Sequence, residues 1–167
     1  MAFLLRRPII LILIMVTAIA VLVLVHFSGI LSPEPRGLLI ASAGFTGSDS
    51  IRLGENTTLT VVLNNWADQP ATFELHIVYT GNLTFYDGIT KERLRDISQH
   101  GSFYNLTYPT KGTLDMQGST SIPLVLEGRE PIGASQTFTL FVEAYYLDGL
   151  EWEFADQAAV QLTVTLS

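Results

Sequence analysis

The chain has no cysteine, three histidines, and only nine Lys and Arg against 16 Asp and Glu. Without thiols there is neither a disulfide frame nor a thiolate metal site, so an apolar core must hold the fold alone. All 16 acids lie beyond residue 31, with seven of the basic residues, which leaves that part at net −9. Nucleic-acid affinity comes from neutralising phosphates, and anionic lipid is held by the same sign of charge. A surface of this sign argues against both. His-Glu-x-x-His, phosphate-cradling glycine loops and dinucleotide fingerprints are also missing.

The most informative absence is local. From Pro8 to Leu31 no charged residue occurs, and 16 of the residues from Ile9 to Leu31 are Leu, Ile, Val or Phe. A helix over these 24 residues is about 36 Å long, against about 30 Å of hydrocarbon. Its apolar side chains contribute on the order of −5 to −10 kcal/mol to insertion. Arg6 and Arg7 precede the run and only Arg36 follows closely. The positive-inside rule then leaves residues 1–7 in the cytoplasm and sends the C-terminus outside. A cleaved signal peptide has a shorter apolar core, and the cleavage-like Ala41-Ser42-Ala43 lies well past the run. The expectation is an uncleaved transmembrane helix at 8–31, with the bilayer as its partner. His26 falls at its outer end, as an interfacial side chain.

Ser32-Pro33-Glu34-Pro35-Arg36 reads as the linker, because two prolines end the helix and keep the chain extended. At about 3.3 Å per residue it reaches under ~20 Å, so the domain at 37–167 stays near the membrane. That domain alternates. Leu59, Val61 and Leu63 face away from Thr58, Thr60 and Val62, and Phe73, Leu75, Ile77 and Tyr79 away from Thr72, Glu74 and His76. Further strands are expected over Gly37–Phe45, Leu83–Tyr86, Thr120–Leu126, Thr137–Tyr146, Glu151–Phe154 and Ala159–Leu166. Pro123 points to an edge or a bulge, and Asp148-Gly149 to the centre of a hairpin turn. Ile89–Ile97 is expected as a short helix, and Phe103–Tyr108 fits a strand or an aromatic loop equally. The fold class is all-β: an antiparallel sandwich of about seven or eight strands, preceded by one transmembrane helix.

The run from Leu53 to Ala71, LGENTTLTVVLNNWADQPA, resembles the opening of CARDB-type, fibronectin-III-like (Ig-like) domains of prokaryotic surface proteins. Pro131 to Leu140, PIGASQTFTL, is similar to their approach to the penultimate strand. Asn64 matches the family's turn asparagine, although the glycine that usually follows is missing, and about 87–113 stands as an irregular insertion. The resemblance implies the sandwich fold and a binding or spacer role, and it brings no functional residues with it. Composition suggests an archaeal source.

Candidate sites are accordingly few. Asn56, Asn82 and Asn105 each begin an Asn-x-Thr sequon and are glycosylation candidates. Phe85, Tyr86, Phe103, Tyr104 and Tyr108 crowd the irregular middle, where exposed aromatics would form a recognition surface and buried ones would pack the insertion. His76 falls on a polar strand face and His100 in a turn, neither beside a nucleophile. Asp148, Glu151, Glu153 and Asp156 read as a solvated strand face rather than a loop wrapping calcium. No catalytic residue, metal or cofactor is expected. The sequence points to a non-enzymatic, membrane-anchored interaction or structural module, an accessory subunit of a surface complex with a protein partner or a second copy. A pilin- or archaellum-like filament or stator subunit and a carbohydrate-binding domain are the alternatives.

Overall fold

The computed structural model describes residues 37–129 and 133–166, within the second of the chain's two units, Arg36–Ser167. The expected span at 8–31 and linker at 32–36 lie outside the described residues. Among those described there is no helix, and none long and apolar enough to cross a membrane. Eleven strands make two sheets. One runs β1 (Leu38–Thr46), β3 (Asn56–Asn65), β9 (Ser119–Gly128), β5 (Leu83–Asp87). The other runs β2 (Ser50–Arg52), β11 (Glu151–Thr165), β10 (Ser135–Asp148), β4 (Ala71–Thr80), β7 (Phe103–Thr107), β6 (Ile97–His100). The short β8 (Gly112–Leu114) pairs with the start of β4, on the side away from β10.

Seven of these strands, taken in chain order, fall as A-B-E-D on one sheet and G-F-C on the other. That is the constant-type immunoglobulin arrangement. The protein is an Ig-like β-sandwich. β2 is an extra strand parallel to β11, and β6 to β8 widen the sheet beyond β4.

Alternation decides which way each strand faces, since a slip of one residue would turn its apolar set to solvent. Leu59, Val61 and Leu63 of β3 point inward, as do Leu75, Ile77, Leu124, Leu126, Leu140, Val142 and Leu162, all fully buried. The two strands expected over Glu151–Phe154 and Ala159–Leu166 are one, β11. It bulges at Ala155, where Ala144 pairs with Asp156 but Tyr145 with Phe154. A matching bulge at Ala41 in β1 interrupts its ladder, and Ile40 N–H donates instead to Asp156 Oδ2 at 2.9 Å. The two bulges thus tie edge strand β1 to β11 across the open side of the sandwich.

Three expectations are corrected. The helix over Ile89–Ile97 is absent. Asp87 caps the amides of Ile89 and Thr90, Lys91 sits at φ 62°, and one turn closes without continuing. Pro123 lies on an internal strand and not at an edge. Its carbonyl accepts from Gly88 N, just where β5 has stopped, so the missing N–H falls where no ladder bond is needed. The hairpin turn is centred on Gly149-Leu150, one residue later than expected. Only Gly149 has positive φ (65°), the pattern of a type II′ turn.

Candidate functional site

The five aromatics of the middle segment do not form one surface. Phe85 is fully buried, which removes it from any recognition face. On β5 it points inward opposite Leu126, in a cross-sheet stack: Tyr79 lies 4.9 Å from it, and Tyr104 stacks on Tyr79 at 5.5 Å. Burial pushes the Tyr79 hydroxyl up to about 12. Tyr108 donates its hydroxyl to Asp87 Oδ2 and ties the loop after β5 to the end of β7. Phe85, Tyr104 and Tyr108 therefore seal the side of the sandwich where the chain crosses from one sheet to the other. Tyr86 faces outward and donates to Glu127 Oε2 at 2.8 Å; that bond, with Arg129 Nη2 at 3.3 Å, holds the Glu127 carboxyl below its usual range. Only Phe103 remains a large exposed ring, at 49%.

The sequons differ in the same way. Asn56 and Asn82 are exposed. Asn82 lines a shallow groove of about 610 Å³ with Leu53, Leu83, Arg93, Glu127 and Arg129. Asn105 is half-buried in β7. Its Nδ2 donates to His76 Nδ1 at 3.2 Å, and its Oδ1 is buried without a partner. His76 is held rather than free, since Nε2 meets Glu74 Oε1 at 2.8 Å and the Tyr145 ring covers it at 4.6 Å. Such an arrangement orders the outer face of β4 and β10 and presents no base to a nucleophile. Among the described residues no group of three or more His, Asp and Glu could hold a metal ion.

The sequence pattern gave no sign of two further features. Asn65 is buried at 1% and holds two loops together. Its Nδ2 donates to the carbonyls of Gln69 and Asp115, and its Oδ1 accepts from Ala67 N. The neighbouring Asn64, matched to the family's turn residue, instead faces outward on β3. The doublet hid which of the two was structural. At the end of the sandwich where β1 starts lie the turns at 65–70, 115–118 and 149–150. There Trp66, Met116, Leu150, Trp152 and Phe154 are exposed at 63, 62, 98, 37 and 53%. No periodicity could have found this cluster, because its members come from separate loops and from one hairpin.

Among the described residues one edge is also open: β6 pairs with β7 on one side only, and all four of its residues are exposed, with Ile97 at 36%.

No protein-family profile matches the chain, and no curated protein does. Solved structures with similar backbones are remote. One is the alkylpurine DNA glycosylase AlkC of Pseudomonas fluorescens, at 14% identity, covering 77% of this chain and 30% of that one, with a TM-score of 0.49. Another is the cohesin module of a family 33 glycoside hydrolase from Clostridium perfringens, at 6% identity, 75% and 97% coverage and 0.49. A type II cohesin domain from the cellulosome of Acetivibrio cellulolyticus aligns at 9% identity, 75% and 94% coverage and 0.47. This chain thus spans about a third of the glycosylase. The assignment of the fold rests on the strand pairing above.

Proposed function

We propose that this is a non-enzymatic, single-pass membrane protein whose extracytoplasmic Ig-like sandwich, of the CARDB-type kind, is an interaction module. Its role is that of an accessory subunit in a membrane or cell-surface complex. The observation that carries the reading is the edge strand β6. A free edge offers a row of unpaired backbone groups to another chain, and proteins that avoid such pairing guard it with Lys, Pro or an inward charge. Ile97-Ser98-Gln99-His100 has none of these, and Phe103 exposes its ring on the adjoining strand. A partner adding a strand here gains main-chain hydrogen bonds from β6 and one apolar contact on each face, from Ile97 and from Phe103. The short linker supports the reading, because a domain held within about 20 Å of the bilayer meets neighbouring membrane proteins first.

The test is photo-crosslinking from position 98 of the full chain in its native membrane. A single defined adduct is expected, and Ile97→Lys should abolish it while leaving the melting temperature unchanged. A clean monomer at native expression refutes the partner; release of the chain by carbonate refutes the anchor.

A further inference from the structure

We propose that the sandwich end bearing Trp66 and Trp152 rests on the headgroup layer of the same membrane, against zwitterionic or uncharged lipid. This deepens the membrane-anchor reading and rests on it.

The topology gives the first argument. Chain direction places the start of β1, the end of β3, the start of β4 and the tip of the β10–β11 hairpin at one end. The described chain therefore begins there, at Gly37, whose carbonyl accepts from Trp66 N. Only 32–36 separates Gly37 from the uncharged run ending at Leu31. Extended, that linker reaches under ~20 Å, so on the anchor reading this end is the part of the domain tethered nearest the bilayer.

Composition is the second argument. The chain has two tryptophans, and both are at this end. Half of the ten exposed large apolar residues among those described are there too. Trp152 pairs with Leu147 and Phe154 with Tyr145, so Trp152, Phe154 and Leu147 share one face of the hairpin, Phe154 edge-on to the half-buried Tyr145, with Leu150 fully out in its turn. Indole rings favour headgroup depth, where the ring is half desolvated and its N–H stays wet. Exposed apolar clusters of this kind mark contact surfaces rather than solvated ones.

Charge selects the lipid. Asp68, Asp115, Asp148 and Glu151 are all exposed around the cluster. Anionic headgroups would be repelled by them, whereas zwitterionic or sugar headgroups would not.

The two tryptophans are their own probes. The full chain is reconstituted in zwitterionic vesicles containing a lipid spin-labelled at headgroup depth, and Trp66→Phe and Trp152→Phe leave one indole each. Both single-tryptophan proteins should lose at least about half their emission to the labelled lipid and be shielded from aqueous acrylamide. Leu150→Glu should release Trp152 to acrylamide, Leu53→Glu at the other end should change nothing, and anionic lipid should weaken the lipid quenching. Chain retained after carbonate but quenched by acrylamide alone overturns the proposal and leaves the anchor standing. Shielding from both quenchers means that protein covers this end, and also overturns it. Chain released by carbonate takes the anchor and this contact down together.

Discussion

Asp87 holds the crossing between the two sheets, and its removal should open that crossing without unfolding the sandwich. Its Oδ1 accepts from Ile89 N at 2.6 Å and Thr90 N at 2.7 Å, and its Oδ2 accepts from the Tyr108 hydroxyl. A hydrogen bond to a charged acceptor contributes about 1.5–3 kcal/mol. Three that share one carboxylate fall short of additivity, so Asp87→Ala should cost the loop about 3 kcal/mol. That corresponds to roughly a hundredfold more frequent opening. Lys91, Arg93 and Arg95 lie exposed in this loop, and cleavage there needs the backbone to leave the Lys91 N to Asp87 O, Asp87 N to Glu92 O and Leu94 N to Phe85 O bonds. Limited trypsinolysis of the detergent-solubilised full chain reads the opening directly: roughly a hundredfold faster nicking within 91–95 for Asp87→Ala, and about tenfold for Tyr108→Phe. Phe138→Ala, a global destabiliser, should not select those sites. The loop also carries its own pH dependence. Asp87 is held below its ordinary value, first by the Tyr108 hydroxyl and then by the Thr90 amide. Its contribution is complete above the ordinary carboxylate range and is lost as pH falls through that lowered value. Tyr108 is pushed up to about 12 by burial and by Asp87, so its contribution is complete below 10 and is lost as pH rises toward 12. Protection of the Ile89 and Thr90 amides should form a plateau between these limits. Asp87→Ala nicked at the wild-type rate would refute the reasoning.

Gly81 has φ 88°, and a Cβ there would overlap the ring of buried Phe138; Gly81→Ala should lose about 2–4 kcal/mol in chemical denaturation, more than backbone strain alone would cost. Phe138→Ala should cost about 3–5 kcal/mol in the same assay, as a large core ring flanked by other rigid side chains. In a host that glycosylates Asn-x-Thr, Asn56→Gln and Asn82→Gln should each remove one glycan by mass, and Asn105→Gln none, because the Asn105 amide is committed to His76 and its oxygen is buried.

The strands were legible wherever one face is buried and the other is wet. In β3, β4 and β10 the apolar residues fall on alternate positions with hardly a break, and burial in the structure follows the same alternation. Pattern failed where pairing and not packing makes the strand. β2, β6 and β8 are three or four residues long and bury at most one side chain each, so they carry no period to read. The single strand β11 looked like two because the bulge at Ala155 shifts its phase midway. At Ile89–Ile97 the spacing favoured a helix, but one carboxylate competing for the first amides is enough to end it in a single turn.

The aromatic cluster was harder to read, and the reason is geometric. Crowded tyrosines in an irregular segment have two physical outcomes, contact with a partner or closure of the segment's own gap. The sandwich between β5 and β7 has such a gap, because the chain leaves one sheet there and enters the other. Phe85, Tyr104 and Tyr108 fill it, and Tyr86 is tied down by Glu127. Among the large apolar side chains left exposed are Phe103 and Ile97 beside the open edge, and Trp66, Leu150 and Trp152 at the end where β1 starts. Exposure of this kind is costly to keep in a protein of net charge −7 unless something covers it. The two surfaces lie in different directions, one lateral and one toward residue 37. On the proposed anchoring, the first surface is left for a neighbouring chain and the second for lipid.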